Sequence, residues 1–130
     1  MTWKSHHDRG AVLRDVIAAV DARRDGLLPM DVNGVRAAFG DELTLLGALQ
    51  LRWHTRLAGR IERELERHPD DPGAAAAEAR RATARDLPGV RAVIDHYTAH
   101  PTDDRMANAT AVAARKERDL LMGRYGTLVA

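Results

Sequence analysis

The chain has 130 residues and sets 20 basic against 19 acidic side chains. It is long enough for one hydrophobic core but not two, and it lacks a net field to steer it onto nucleic acid or an anionic membrane. It contains no cysteine, which excludes disulfides, thiolate metal sites and a cysteine nucleophile, and fits a reducing compartment. Hydrophobic residues make up 45% of the chain but aromatics only 4%. Such a core is built from Ala, Val, Leu and Ile, which favours packed helices over a sheet sandwich.

Residues 1–8 lack the apolar centre of a signal peptide, and no run is apolar enough to span a bilayer. The expected location is cytoplasmic, without membrane contact. Val12, Leu13, Val16, Ile17 and Val20 recur at three- and four-residue steps, predicting a helix from Asp8, its cap, to Arg24. A connector through Leu27, Leu28 and Pro29 leads to a short helix over Asp31 to Phe39, closed by Gly40. Asp41 opens the longest run, through Leu43, Leu46, Leu49, Trp53, Leu57, Ile61 and Leu65, and the prolines at 69 and 72 stop it. Asp71 caps the next helix, with Pro72 in its first turn. Its apolar phase, Ala76, Ala79, Thr83, Leu87, Val90, Ile94 and Tyr97, continues across Pro88, so one kinked helix and two short ones both fit. Asp103 to Met122 forms the last helix, with Met106, Ala109, Ala113, Leu120 and Leu121 inward.

No segment shows strand alternation, and there is no internal repeat. The expected fold is a single all-α domain, an antiparallel four-helix bundle with an additional short helix between helices one and two. Residues 1–7 are read as a flexible tail and 124–130 as a frayed end.

Helical wheels single out a few polar residues on the inward faces. Gln50 lies among Leu46, Trp53 and Leu57, and His54 lies one turn further on. Glu117 falls between Ala113 and Leu121, with Arg124 about two turns beyond. A buried carboxylate needs a partner, and if the long and last helices are neighbours, His54 and Glu117 can hydrogen-bond inside the bundle. One reading is a polar layer that fixes helix register. The other is a ligand pocket using Gln50, Trp53, His54 and Glu117.

Arg52, Arg56, Arg60, Arg63 and Arg67 make a basic row beside the apolar face of the long helix. It can track phosphates, but Glu62, Glu64 and Glu66 interrupt it, and Arg60 can pair with Glu64 along the helix. A solvated face or subunit contact suits it better than nucleic acid. His96 and His100 are one turn apart, with His96 expected in solvent opposite Ile94, which leaves a metal site incomplete. The chain has no Glu-x-x-His pair, no phosphate-cradling glycine loop and only Ser5 as a serine. No catalytic residue, metal or cofactor is assigned. Trp53 beside Ala58 and Gly59 suits close helix approach, within the chain or between copies.

The run from Leu45 to Glu62, LLGALQLRWHTRLAGRIE, followed by Asp86-Leu87-Pro88-Gly89-Val90-Arg91, resembles small helical proteins of high-GC actinobacteria. That resemblance implies a family but no activity, cofactor or partner. The expected role is therefore a non-enzymatic helical interaction protein that self-associates, most simply as a homodimer, with an unspecified protein partner. Two alternatives stand beside it: a ligand- or metal-binding bundle using His54 and Glu117, and nucleic-acid binding through the Arg52 to Arg67 row.

Overall fold

The structure, a computed structural model, describes the backbone of residues 2–123 and the side chains of residues 8–123. Its elements are α1 (Thr2–Arg23), α2 (Val35–Phe39), α3 (Glu42–Arg67), α4 (Pro72–Asp86), α5 (Pro88–Ala99) and α6 (Asp104–Leu121). No strand occurs among the described residues. Arg124 and the rest of the segment expected to fray lie outside them.

Aspartates start three of the helices. Asp41 accepts a hydrogen bond from the Thr44 N–H at 2.9 Å, Asp71 from Ala74 at 3.0 Å and Asp103 from Met106 at 2.9 Å. Each satisfies an orphan donor of the first turn and contributes about 1 kcal/mol. Asp8 does not do this: α1 is already helical from Thr2, which replaces the expected start of the helix and the expected tail with backbone helix. No proline or glycine lies in residues 2–8 to stop it. The short helix is also narrower than expected, because Gly34 sits at a φ of +86° and restricts α2 to Val35–Phe39.

Pro88 separates α4 from α5. Leu87, the residue before it, leaves helical geometry at φ −128° and ψ 58°, as steric conflict with a following proline ring requires. The Leu87 N–H still reaches the Thr83 carbonyl, and the Arg91 N–H reaches the Leu87 carbonyl, so the apolar stripe passes through the break. Leu87 has no side-chain oxygen to cap α5. Asp21 of α1 supplies it instead, accepting from the Gly89 N–H at 2.9 Å. The approach is close: a Cβ on Gly89 would lie 2.4 Å from the Val20 carbonyl carbon and oxygen and 2.5 Å from the Asp21 nitrogen. Only glycine fits there.

The core runs along α3, whose Leu45, Leu46, Leu49, Trp53 and Leu57 are fully buried. This helix packs along α4 and also meets α5, α6 and α2, while α1 packs on α5 and α2. Val16, Val20, Ala79, Val90, Val93 and Tyr97 complete the interior. The last helix is the least enclosed. Of α6, only Met106 and Thr110 are buried, whereas Ala109, Ala113, Leu120 and Leu121, expected inside, are only partly covered. Lying at the edge of the assembly, α6 presents its middle to the crevice where α3 and α5 meet.

Gly89→Ala is expected to lower the unfolding free energy by about 3 kcal/mol, because backbone, not a flexible side chain, must yield. Asp21→Ala is expected to cost about 1 kcal/mol through the lost cap. Urea unfolding followed by far-UV dichroism measures both, and an unaltered midpoint for Gly89→Ala would contradict the α1–α5 contact.

Candidate functional site

Trp53 occupies the centre of α3 with its ring fully buried, so its indole N–H requires a partner. That partner is Glu117 of α6, whose Oε1 accepts from Trp53 Nε1 at 2.7 Å. Arg91 of α5 donates Nη1 to the same oxygen at 2.7 Å, and Arg80 of α4 donates Nε to Oε2 at 3.1 Å. The Arg91 guanidinium lies over the Trp53 ring, 4.6 Å from its centroid, with that of Arg80 at 5.9 Å. Arg91 is held from its other side by Asp95, one turn along α5.

Burial alone would raise the Glu117 pKa, but Arg91, by charge and hydrogen bond, together with Arg80 and Trp53 outweighs it and holds the carboxyl below its ordinary value. Burial likewise opposes the charge on Arg91, yet Asp95 and Glu117 raise its pKa further. Glu117 is thus a fixed anion with its oxygens occupied.

The His54–Glu117 hydrogen bond is not formed. His54 Nε2 instead donates to the Ala113 carbonyl at 3.2 Å, one turn before Glu117. Burial pushes its pKa down, with Lys116 and Arg91 adding to this and the Ala113 bond and Glu117 opposing it, so the ring is neutral near pH 7. Glu117 prefers two guanidiniums and an indole N–H to a neutral imidazole. Arg80 and Arg91 were not singled out in the sequence, although each lies three and four residues from buried members of its own helix stripe, and that spacing is the signal that marks them.

Gln50, one turn before His54, is 8% exposed and its side chain makes no hydrogen bond to the described residues; its Nε2 is sealed from solvent. Gln50, Trp53, His54, Arg91, Thr110 and Glu117 converge on one pocket of about 160 Å³ between α3, α5 and α6. All four residues singled out as ligand-binding therefore share one pocket wall. A larger hollow, of about 520 Å³ between α1 and α2, is lined by exposed polar residues such as Asp8, Arg9 and Asp15 and gathers no buried one.

The arginine row does not act as a unit. Arg60 donates to Asp86 at 2.8 Å and Arg56 lies 3.6 Å from the same carboxylate, both tying α3 to the end of α4. Arg67 is 3.6 Å from Glu64. Arg52 borders a hollow shared with Leu13 and Phe39, and Arg63 is exposed. The Arg60–Glu64 pair is absent, since Glu64 is buried towards Arg67 and His68. His96 is half-buried, not solvent-facing: its ring meets Tyr97 edge-on and its Cβ backs onto Gly26. Its ring centroid is 5.2 Å from that of His100, and no group of three metal-ligating side chains forms among the described residues. Gly59 is not used for close approach to the described residues, as a Cβ there would meet nothing within 4 Å. No helix is long and apolar enough to cross a membrane among the described residues.

Comparison with protein-family models, with curated proteins and with solved structures gives no match.

Both lowered pKa values make acid destabilising. The His54 contribution is complete above its ordinary 6.5 and declines as the pH falls below it, because the unfolded chain takes up a proton that the folded chain resists. That of Glu117 is complete above 4.5 and is lost as the pH falls through its lowered folded value. Unfolding midpoints from about pH 8 to about pH 3 are expected to show His54→Gln removing slope from the upper window and Glu117→Gln from the lower. Glu117→Gln is also expected to cost about 2 kcal/mol at neutral pH. PH profiles parallel to the unsubstituted protein would refute these assignments.

Proposed function

We propose that the chain is a non-enzymatic helical interaction protein that self-associates through the face shared by α3 and α6. The supporting observation is Gly47. It lies in the sixth position of a 26-residue helix, where glycine costs about 1 kcal/mol relative to alanine, yet a Cβ there would meet nothing within 4 Å. Among the described residues nothing requires that glycine. A neighbour outside the protomer does, if it packs against bare α3 backbone.

The surroundings fit a second copy. Leu51, one turn on, is 61% exposed, and Val112 on the facing side of α6 is 60% exposed. Leu51 and Gly47 together form a divide between two hollows. One, of about 480 Å³, includes Ala109 and Val112; the other, of about 620 Å³, includes Leu13 and Phe39. A surface carrying a protruding apolar side chain beside receiving hollows matches itself under a two-fold axis, as an isologous contact must. A net charge of +1 sets no long-range repulsion against that pairing.

On this reading α1, α3, the α4–α5 pair and α6 act as four antiparallel rods of one bundle, in the cytoplasm and without a cofactor. Glu117, saturated by its partners, and His54, tied to a backbone carbonyl, serve register rather than proton transfer.

Sedimentation velocity over a range of concentrations is expected to show a dimer that Leu51→Glu converts to a monomer with an unchanged helical spectrum. Gly47→Ala is expected to raise the stability of the monomeric variant by up to about 1 kcal/mol while weakening the dimer of the parent chain. A strictly monomeric parent chain at all concentrations would overturn the proposal.

A further inference from the structure

We propose that the pocket between α3, α5 and α6 is a binding site for a small neutral amide, with Gln50 as the group that recognises it. The argument is one of unsatisfied valences. Gln50 is more than nine-tenths buried and faces a pocket of about 160 Å³ with its carboxamide unpartnered. An unpaired buried amide costs free energy that leucine, of nearly the same size, would not incur. With Nε2 sealed, the edge of the carboxamide that a guest reaches is Oε1, an acceptor that the N–H of a primary amide answers.

The other walls set the charge and size of the guest. Arg91 and Glu117 neutralise each other at 2.7 Å, while Asp95 holds the other edge of Arg91 and Arg80 meets the second oxygen of Glu117. An anion would meet the Glu117 carboxylate with Arg91 already engaged, and a cation would meet Arg91 and the rim residue Arg118. His54 donates Nε2–H to Ala113, so its Nδ1 is an acceptor. Thr98 and Thr110 donate their hydroxyls to Ile94 and Ala107 carbonyls, leaving only oxygen lone pairs. The pocket thus offers the Gln50 carbonyl together with other acceptors that ask for an N–H, between apolar Ile94, Ala113 and Ala114. A cavity of about 150 Å³ holds benzene, so the guest has roughly six to eight non-hydrogen atoms. Gln50 and His54 also border the hollow of about 480 Å³ beside Leu51 and Val112, so the site adjoins the proposed self-association face.

Isobutyramide, isobutyrate and isobutyramidinium share one shape and differ in charge. In nitrogen–proton correlation spectra of the full chain, isobutyramide is expected to shift the Gln50 side-chain NH₂ signals saturably. The two charged analogues are expected to bind at least about tenfold more weakly. Gln50→Leu should weaken isobutyramide binding by about tenfold or more and leave the thermal midpoint equal or higher, because it removes an unpartnered amide from the interior. Absence of saturable shifts with isobutyramide would overturn the proposal, and equal binding of all three compounds would overturn the neutral-amide specificity. Undiminished binding to Gln50→Leu would remove Gln50 from the site. If Gln50→Leu unfolds, Gln50→Glu provides the second test: its added charge is expected to abolish isobutyramide binding, and retained binding refutes the site.

Discussion

The middle of this protein is organised by one carboxylate. Removing Glu117 from water is unfavourable by itself, and the arrangement persists because donors from three other helices converge on it: Trp53 from α3, Arg80 from α4 and Arg91 from α5. Hydrogen bonds to charged groups are worth about 1.5–3 kcal/mol each, enough to offset partial desolvation when several act together. The same contacts give the buried indole N–H its acceptor and place a guanidinium over the indole face. The network therefore locks four helices in rotation and axial register, which the surrounding aliphatic side chains, having no directional contacts, do not.

Two glycines show how one residue type serves different purposes. Gly89 is demanded from within, because the α1 backbone stands where its Cβ would be and Asp21 uses the vacated space to cap α5. Gly47 has open space around it, with none of the described residues within 4 Å of where its Cβ would be. With Leu51 and Val112 exposed beside it, its place in the second turn of α3 fits the proposed contact with a second copy. The core and the proposed interface are thus carried on opposite sides of one helix.

Chemical capacity at the centre is largely consumed by structure. Glu117 is ionised and occupied, and Arg91 is shared between two carboxylates. His54 spends one ring nitrogen on a helix carbonyl. A proton-transferring group needs a free site, and these contacts occupy both Glu117 oxygens and one His54 ring nitrogen. Gln50 is the exception, a neutral group without a partner among the described residues, and the proposed guest preference rests on it.

Helix content, the aspartate caps at 41 and 71, and the inward stripe from Ala76 to Tyr97 follow from the sequence, because capping and apolar periodicity are local properties of the chain. The break at Pro88 was also local, though its outcome depended on the backbone angles taken by Leu87. The inward positions of Gln50 and His54 were legible on the wheel of α3. Their partners were not. Whether Glu117 meets an imidazole or two guanidiniums depends on how α4 and α5 are rotated against α6, and the spacing that puts Arg80 and Arg91 beside their helix stripes does not say which carboxylate they meet. The splitting of the arginine row, the burial of Glu64 and the need for glycine at 89 likewise arise from contacts between elements distant in sequence. Periodicity specifies which face of a helix turns inward, but only the packed arrangement determines what that face meets.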